Sequence, residues 1–207
     1  MNVFRLICNP FRECCYVLSD DNGTAAIIDC GCVSASEQQR LTRHIAENHL
    51  TPVAHLATHA HLDHLFGAAF IYRTYGLPTF VSAPDMPLVE RLAEQATDFG
   101  YPWTDWSFPT EELEPLKLLE LLKPLSAVRI MRTAGHTPGS VCFYLPDEKL
   151  LLSGDTLFCG GYGRTDLWGG DQAELIHSLA QLRKLPADTR VLPGHGYETT
   201  IGDELHV

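Results

Sequence analysis

The chain has 207 residues, 45% hydrophobic and 20% charged, an ordinary globular composition that excludes a collagen-like or disordered polymer and predicts a single domain with a substantial core. The formal net charge of −11 argues against a nucleic-acid partner, because duplex binding rests on Lys and Arg neutralising phosphates. No apolar run is long enough to span a bilayer, and Arg5, Pro10, Arg12 and Glu13 interrupt the stretch a secretory leader needs, so a cytoplasmic protein with no membrane partner is expected.

In chain order, residues 3–7, 15–19 and 24–29 are short apolar segments separated by Asn, Asp and Gly, which predicts an antiparallel meander. Ser34 with Glu37 three residues on forms a capping box, and Leu41, Ile45 and His49 follow at helical spacing, predicting a helix to about residue 50. A strand at 53–58, a helix at 66–76, a strand at 79–82 and a helix at 87–100 come next. Pro102, Pro109, Pro115 and Pro124 punctuate residues 101–125, predicting loop with one short element, LKLLELL, readable as helix or strand. Strands at 127–133, 140–145 and 149–154, a helix at 172–184 and a strand at 189–193 complete the chain, a pattern of sheets covered by helices. The seven cysteines lie mostly within the apolar segments, so reduced, buried thiols are expected, with Cys30 and Cys32 structural.

The chemistry concentrates in THAHLDH, where His59, His61, Asp63 and His64 fall within six residues. At this composition HxHxDH arises by chance in on the order of one sequence in a thousand, which makes an accidental cluster a poor explanation. Imidazole and carboxylate are good ligands for zinc and similar metals, and alternation puts His59 and His61 on one side of the chain. His136 in AGHTPGS, Asp155 in LLLSGDTLF and His195 in VLPGHG each follow an apolar strand. Ligands at the ends of four strands converge at one sheet edge, and seven His and Asp groups suit two ions with open positions better than a closed structural zinc site. His44, His49, His55, His177 and His206 lie outside these motifs and are expected to be solvated or satisfied locally.

Together THAHLDH, AGHTPGS, SGDTLF, GGYGRTDL and LPGHG resemble the metallo-β-lactamase superfamily, in the branch of glyoxalase II, the hydroxyacylglutathione hydrolases. The resemblance runs in order along nearly the whole chain. It implies an α/β fold, an αββα sandwich of two mixed β-sheets flanked by helices, with metals at one edge. His59, His61 and His136 resemble the ligands of a first metal, Asp63, His64 and His195 those of a second, and Asp155 the carboxylate between them. Secreted zinc β-lactamases typically carry Cys or His where Asp155 falls, and diiron flavoproteins of the superfamily usually carry Glu where His61 falls. Ala134 stands where the family often has proline, and only twelve residues follow His195 where full glyoxalase II enzymes continue into a glutathione-binding helical domain. The chain therefore resembles the short, single-domain form.

These features imply a metal-dependent hydrolase that cleaves a small-molecule thioester with a metal-bridging hydroxide, using two divalent ions, zinc first with iron or manganese as alternatives. Asp63 is expected to orient the nucleophile as well as bind metal. Arg164 is the candidate for a substrate carboxylate, a loop-closing pair with Asp166 being the other reading, and Tyr162 and Cys159 are further candidates for the pocket. The alternatives are a mononuclear iron persulfide dioxygenase, a lactonase and a non-catalytic metal-binding protein.

Overall fold

Alternation along the strands decides how the layers stack. The computed structural model describes residues 1–101, 105–122, 125 and 127–206. β1 (Asn2–Cys8), β2 (Glu13–Ser19) and β3 (Thr24–Ile28) form the expected antiparallel meander. Beyond α1 (Ala35–Glu47) the chain returns as β4 (Thr51–Leu56), and beyond α2 (Leu62–Leu65) and α3 (Ala68–Tyr75) as β5 (Thr79–Val81). β3, β4 and β5 pair in parallel, since helical crossovers join them, and β6 (Thr110–Glu112) extends the same parallel run. The first sheet therefore has six strands in sequence order and is mixed.

The second sheet is built from β7 (Arg129–Arg132), β8 (Val141–Leu145) and β9 (Leu150–Gly154). A small hairpin, β10 (Leu157–Phe158) with β11 (Gly161–Tyr162), then intervenes before β12 (Arg190–Pro193) and β13 (Thr199–Thr200). Its order is β13-β12-β9-β8-β7, antiparallel except for the parallel pair β9 and β12. Both sheets are mixed, as the resemblance implied.

Between the sheets lies a core of Tyr16, Leu18, Ile28, Leu56 and Phe80 from the first and Val141, Phe143, Leu145, Leu152 and Leu192 from the second. Intervening residues on the same strands face outward onto helices. Cys15, Val17 and Ile27 meet Leu41 and Ile45 of α1 and Ile71 of α3. Cys142, Tyr144, Leu151 and Val191 meet Leu175, Leu179 and Leu182 of α7 (Gln172–Leu182). Because the side-chain period of a strand is two, each buried strand supplies two cores at once, which yields four layers, αββα.

Helix boundaries follow local chemistry. Ser34 and Glu37 form the anticipated capping box, and α1 ends at Asn48, with His49 beyond it at φ 53° instead of on the helix. The helix expected over 87–100 is two, α4 (Met86–Glu90) and α5 (Leu92–Asp98), with Arg91 at φ −99° between them. Among the described residues of 101–125 there are two elements instead of one, β6 and α6 (Pro115–Leu122), and LKLLELL is helical. Pro102 and Pro124, two of the expected breakers, lie outside the described residues. Six cysteines are buried and Cys159 is exposed, all as free thiols, with Cys8 Sγ 3.3 Å from Cys32 Sγ. Among the described residues no helix is long and apolar enough to cross a membrane.

Candidate metal centre

The backbone of HxHxDH is held by buried polar side chains. β4 ends at Leu56, and the chain crosses from Ala57 to His61 without regular structure before α2 carries Asp63 and His64. Asp29, just after β3, accepts hydrogen bonds from Thr58 N and Thr58 Oγ1, both at 2.7 Å. Asp85, closing a 3-10 turn at Ala83–Asp85, accepts from Ala60 N at 2.9 Å, Thr137 Oγ1 at 2.8 Å and Gly139 N at 2.6 Å. One carboxylate thus fixes the residue between His59 and His61 and the turn that carries His136. Gln95 accepts from Leu62 N at 3.0 Å and donates to Ala60 O at 3.1 Å, while Asn9 Nδ2 donates to Asp63 O at 2.9 Å. A Cβ on Gly154, which has φ 50°, would strike Thr58, so glycine lets the end of β9 come against this loop.

All seven expected residues converge. Three sets of donor atoms lie within 4.8 Å of one another: His59, His61 and His136; Asp63, His64 and His195; and His59, His64 and Asp155. Asp155 stands between the first two sets, with Oδ2 3.5 Å from His136 Nε2 and 3.6 Å from His195 Nε2, and Oδ1 3.5 Å from His64 Nε2.

The outward nitrogens of four of these rings have protein neighbours. His136 Nδ1 donates to Arg164 O at 2.7 Å and His195 Nδ1 to Phe11 O at 3.0 Å. His59 Nδ1 lies 3.1 Å from Thr58 Oγ1, itself a donor to Asp29, and His64 Nδ1 lies 3.1 Å from Asp29 Oδ2. The inward atoms are left over: His59 Nε2, His64 Nε2, His136 Nε2 and Asp155 Oδ1 are buried with no hydrogen-bond partner among the described residues, and His64 Nδ1 has only its ion-pair contact with Asp29. Buried polar atoms are rarely left so, and imidazoles engaged on one nitrogen with the other lone pair turned inward are what a bound cation requires. The donor set fits divalent metal.

Electrostatics agree. Burial, followed by the neighbouring histidines, holds His59 well below the usual imidazole range and His61 at about 3, so both imidazoles are neutral at pH 7. Burial alone would raise the carboxyls of Asp63 and Asp155, but the surrounding histidines, His64 foremost, hold both below their ordinary value. Conversely, burial would lower His64 and His195, and the carboxylates beside them raise both.

A cavity of about 190 Å³ opens over the cluster, bordered by Phe11, Phe99, Arg164 and Leu167. Arg164 is at the rim, where its guanidinium is bidentate with Asp166 at 2.6 and 2.7 Å, the loop-closing pair that was the other reading. Tyr162 and Cys159 are exposed and lie outside the walls of this cavity. Of the other histidines, His55 is wholly buried with Nδ1 2.9 Å from Thr79 Oγ1, and His44 stacks on Phe4 at 3.7 Å. Sequence reasoning missed Asn9, Asp29, Asp85 and Gln95. For Asp29 and Asp85 a signal existed, an acidic residue directly after or close behind an apolar strand, the same placement that exposed Asp155.

Residues 9–195 match the Metallo-beta-lactamase superfamily, and the chain belongs to it, a family whose members are mostly metal-dependent hydrolases. It is 38% identical over 210 residues to the hydroxyacylglutathione hydrolase GloC of Haemophilus influenzae, covering 99% of this chain and 95% of that one. Among solved structures it is similar to the BLEG-1 B3 metallo-beta-lactamase, with TM-score 0.84 and 31% identity over 100% of this chain and 97% of that one. It is equally similar to TTHA1623 in a di-iron-bound form, with TM-score 0.84 and 35% identity over 98% and 96%.

Proposed function

We propose that the chain is a two-metal hydrolase acting on acyl thioesters of the glyoxalase II type, S-acylglutathione or a related carrier. The observation that carries this reading is Asp155, 3.5–3.6 Å from histidine nitrogens of both triads, with its Oδ1 buried and without a hydrogen-bond partner among the described residues. In this reading His59, His61 and His136 hold one ion, Asp63, His64 and His195 the other, and Asp155 serves both. Bound divalent ions, zinc first with iron or manganese as alternatives, supply Lewis-acid polarisation of a carbonyl and a water ionised near neutral pH.

The protein groups do the rest. Asp63, whose Oδ2 is 3.2 Å from His195 Nε2, keeps an ionised carboxylate at the cavity wall to accept a hydrogen bond from the attacking water. The buried faces of His59, His61 and His136 exclude bulk solvent from one side of the reacting carbonyl, which strengthens every charge interaction there. Arg164 stays bidentate with Asp166 at the rim and closes the loop there, an exposed pair that shapes the mouth of the cavity. The thioester reading is supported by the similarity to a protein named hydroxyacylglutathione hydrolase and by the GGYGRTDL loop.

The test is reconstitution with zinc, iron or manganese, followed by a panel of S-lactoylglutathione, a simple lactone, a β-lactam and a glutathione persulfide. Thioester turnover, lost by more than about 100-fold in Asp155→Asn, is expected, since a shared ligand matters more than the outer partners whose loss typically costs 10–100-fold. Oxygen consumption with the persulfide at one iron per chain contradicts the proposal, as does turnover of the β-lactam or lactone alone.

A further inference from the structure

A second cavity of about 220 Å³ continues from the first. His61, Phe99, Arg164 and Leu167 border both, so the space over the ligand cluster adjoins a groove on the side of α4 and α5. Its apolar side is formed by Leu88 from α4, Phe99 at the end of α5, and Leu167 and Trp168 from the loop before α7, while Arg91, Glu94, Gln95 and Asp98 line the rest beside the shared His61 and Arg164. Phe99 is 42% and Trp168 47% exposed, a high value for rings of this size, and both border this groove.

Charge decides what the groove accepts. Two guanidiniums reach it, but neither is free: Arg91 is bidentate with Glu94 at 2.8 and 2.7 Å, and Arg164 is bidentate with Asp166. Asp98 adds a further carboxylate to the wall. A polyanionic arm such as a phosphorylated carrier meets no unpaired cation here. Arg91, with Cζ 5.0 Å from the centre of the Trp168 ring, acts as part of the wall by backing the indole. At about 30 Å³ for each water-sized group, the groove holds roughly seven, the size of a phenyl ring or a six-carbon tail.

We infer that this groove binds an uncharged aromatic or medium-chain acyl arm of the substrate between Phe99 and Trp168, so that the preferred thioesters carry larger acyl groups than lactoyl. The inference rests on the thioesterase reading for its chemistry and on the groove for its specificity. The paired arginines direct the apolar acyl side here and leave the thiol carrier to the opposite side of the cluster, toward Phe11 and His195.

The test uses the metal-reconstituted protein with acetyl, lactoyl, hexanoyl and phenylacetyl thioesters, each on glutathione and on N-acetylcysteamine. Hexanoyl and phenylacetyl esters should exceed acetyl by about 10-fold or more in kcat/KM, chiefly through KM, because one good apolar contact set is worth one to two orders of magnitude. Trp168→Ala should shrink that ratio about 10-fold, while Tyr72→Ala, an exposed ring on α3 outside the lining of the groove, should leave it intact. Calorimetric binding of S-hexylglutathione against S-methylglutathione supplies the second readout. If no thioester is turned over but the hexyl thioether binds more tightly in a Trp168-dependent way, the groove stands and the thioesterase reading falls. A flat acyl series with active enzyme, a ratio unmoved by Trp168→Ala, or no binding of either thioether overturns the groove.

Discussion

Asp85 shows how much a site owes to residues that never touch the ion. Its two oxygens take hydrogen bonds from Ala60 N, Gly139 N and Thr137 Oγ1, so it holds the loops of His59, His61 and His136 in one relation. Asp85→Asn keeps the shape but replaces one acceptor with a donor facing donors. Metal affinity, measured by competition with a chromophoric chelator, should fall by about 10–100-fold with the fold retained. Glu13 presents the opposite case. It is fully buried, its carboxyl oxygens have no hydrogen-bond partner among the described residues, and the carboxyl is raised by burial and then by the thiols and carboxylates around it. An acid raised in the folded state loses stability as pH climbs from the unfolded glutamate value of about 4.3 toward the folded one. Glu13→Gln should therefore raise Tm at neutral pH, with a gain that shrinks toward pH 4 in a thermal-shift series. An unchanged or larger gain at low pH contradicts a neutral Glu13.

Among elements, α1 has the clearest link from sequence to stability. Its capping box was legible from Ser34 and Glu37, but Glu37 also accepts from Asn9 N at 2.7 Å and Val33 N at 2.9 Å. The helix start is thereby tied to the segment that bonds Asp63 O. Ser34→Ala should cost about 1 kcal/mol by denaturant unfolding, and Leu41→Ala, which removes a wholly buried contact to the sheet, about 2–5 kcal/mol. Elements with two-residue or four-residue length escaped the sequence reading, because α2, β10, β11 and β13 are too short for an apolar pattern to repeat. The break at Arg91 escaped as well. Apolar spacing continues through Leu88, Leu92 and Ala96, and only the backbone turn separates the two helices.

At the scale of the molecule, the layers were readable because strands such as VCFYL and LLLSG carry apolar residues on both faces, which requires something packed on each. The convergence of seven ligand-type residues was readable because each follows a strand end. What holds them was not, since Asn9, Asp29, Asp85 and Gln95 reach the site across 25 to 54 positions of sequence. The whole charge cluster also makes a prediction for ion uptake. His64 and His195 are raised by the carboxylates beside them, so below their raised values each carries a proton that a cation must displace. Binding should release protons in weakly buffered solution and weaken as pH falls.

In the proposed reading one cluster holds two ions through a shared carboxylate, Asp155. Metal analysis after removal with chelator, reconstitution and exhaustive dialysis tests it most directly. About two equivalents per chain are expected in the wild type and about one in His195→Ala. One equivalent or none in the wild type, or two retained in His195→Ala, contradicts it.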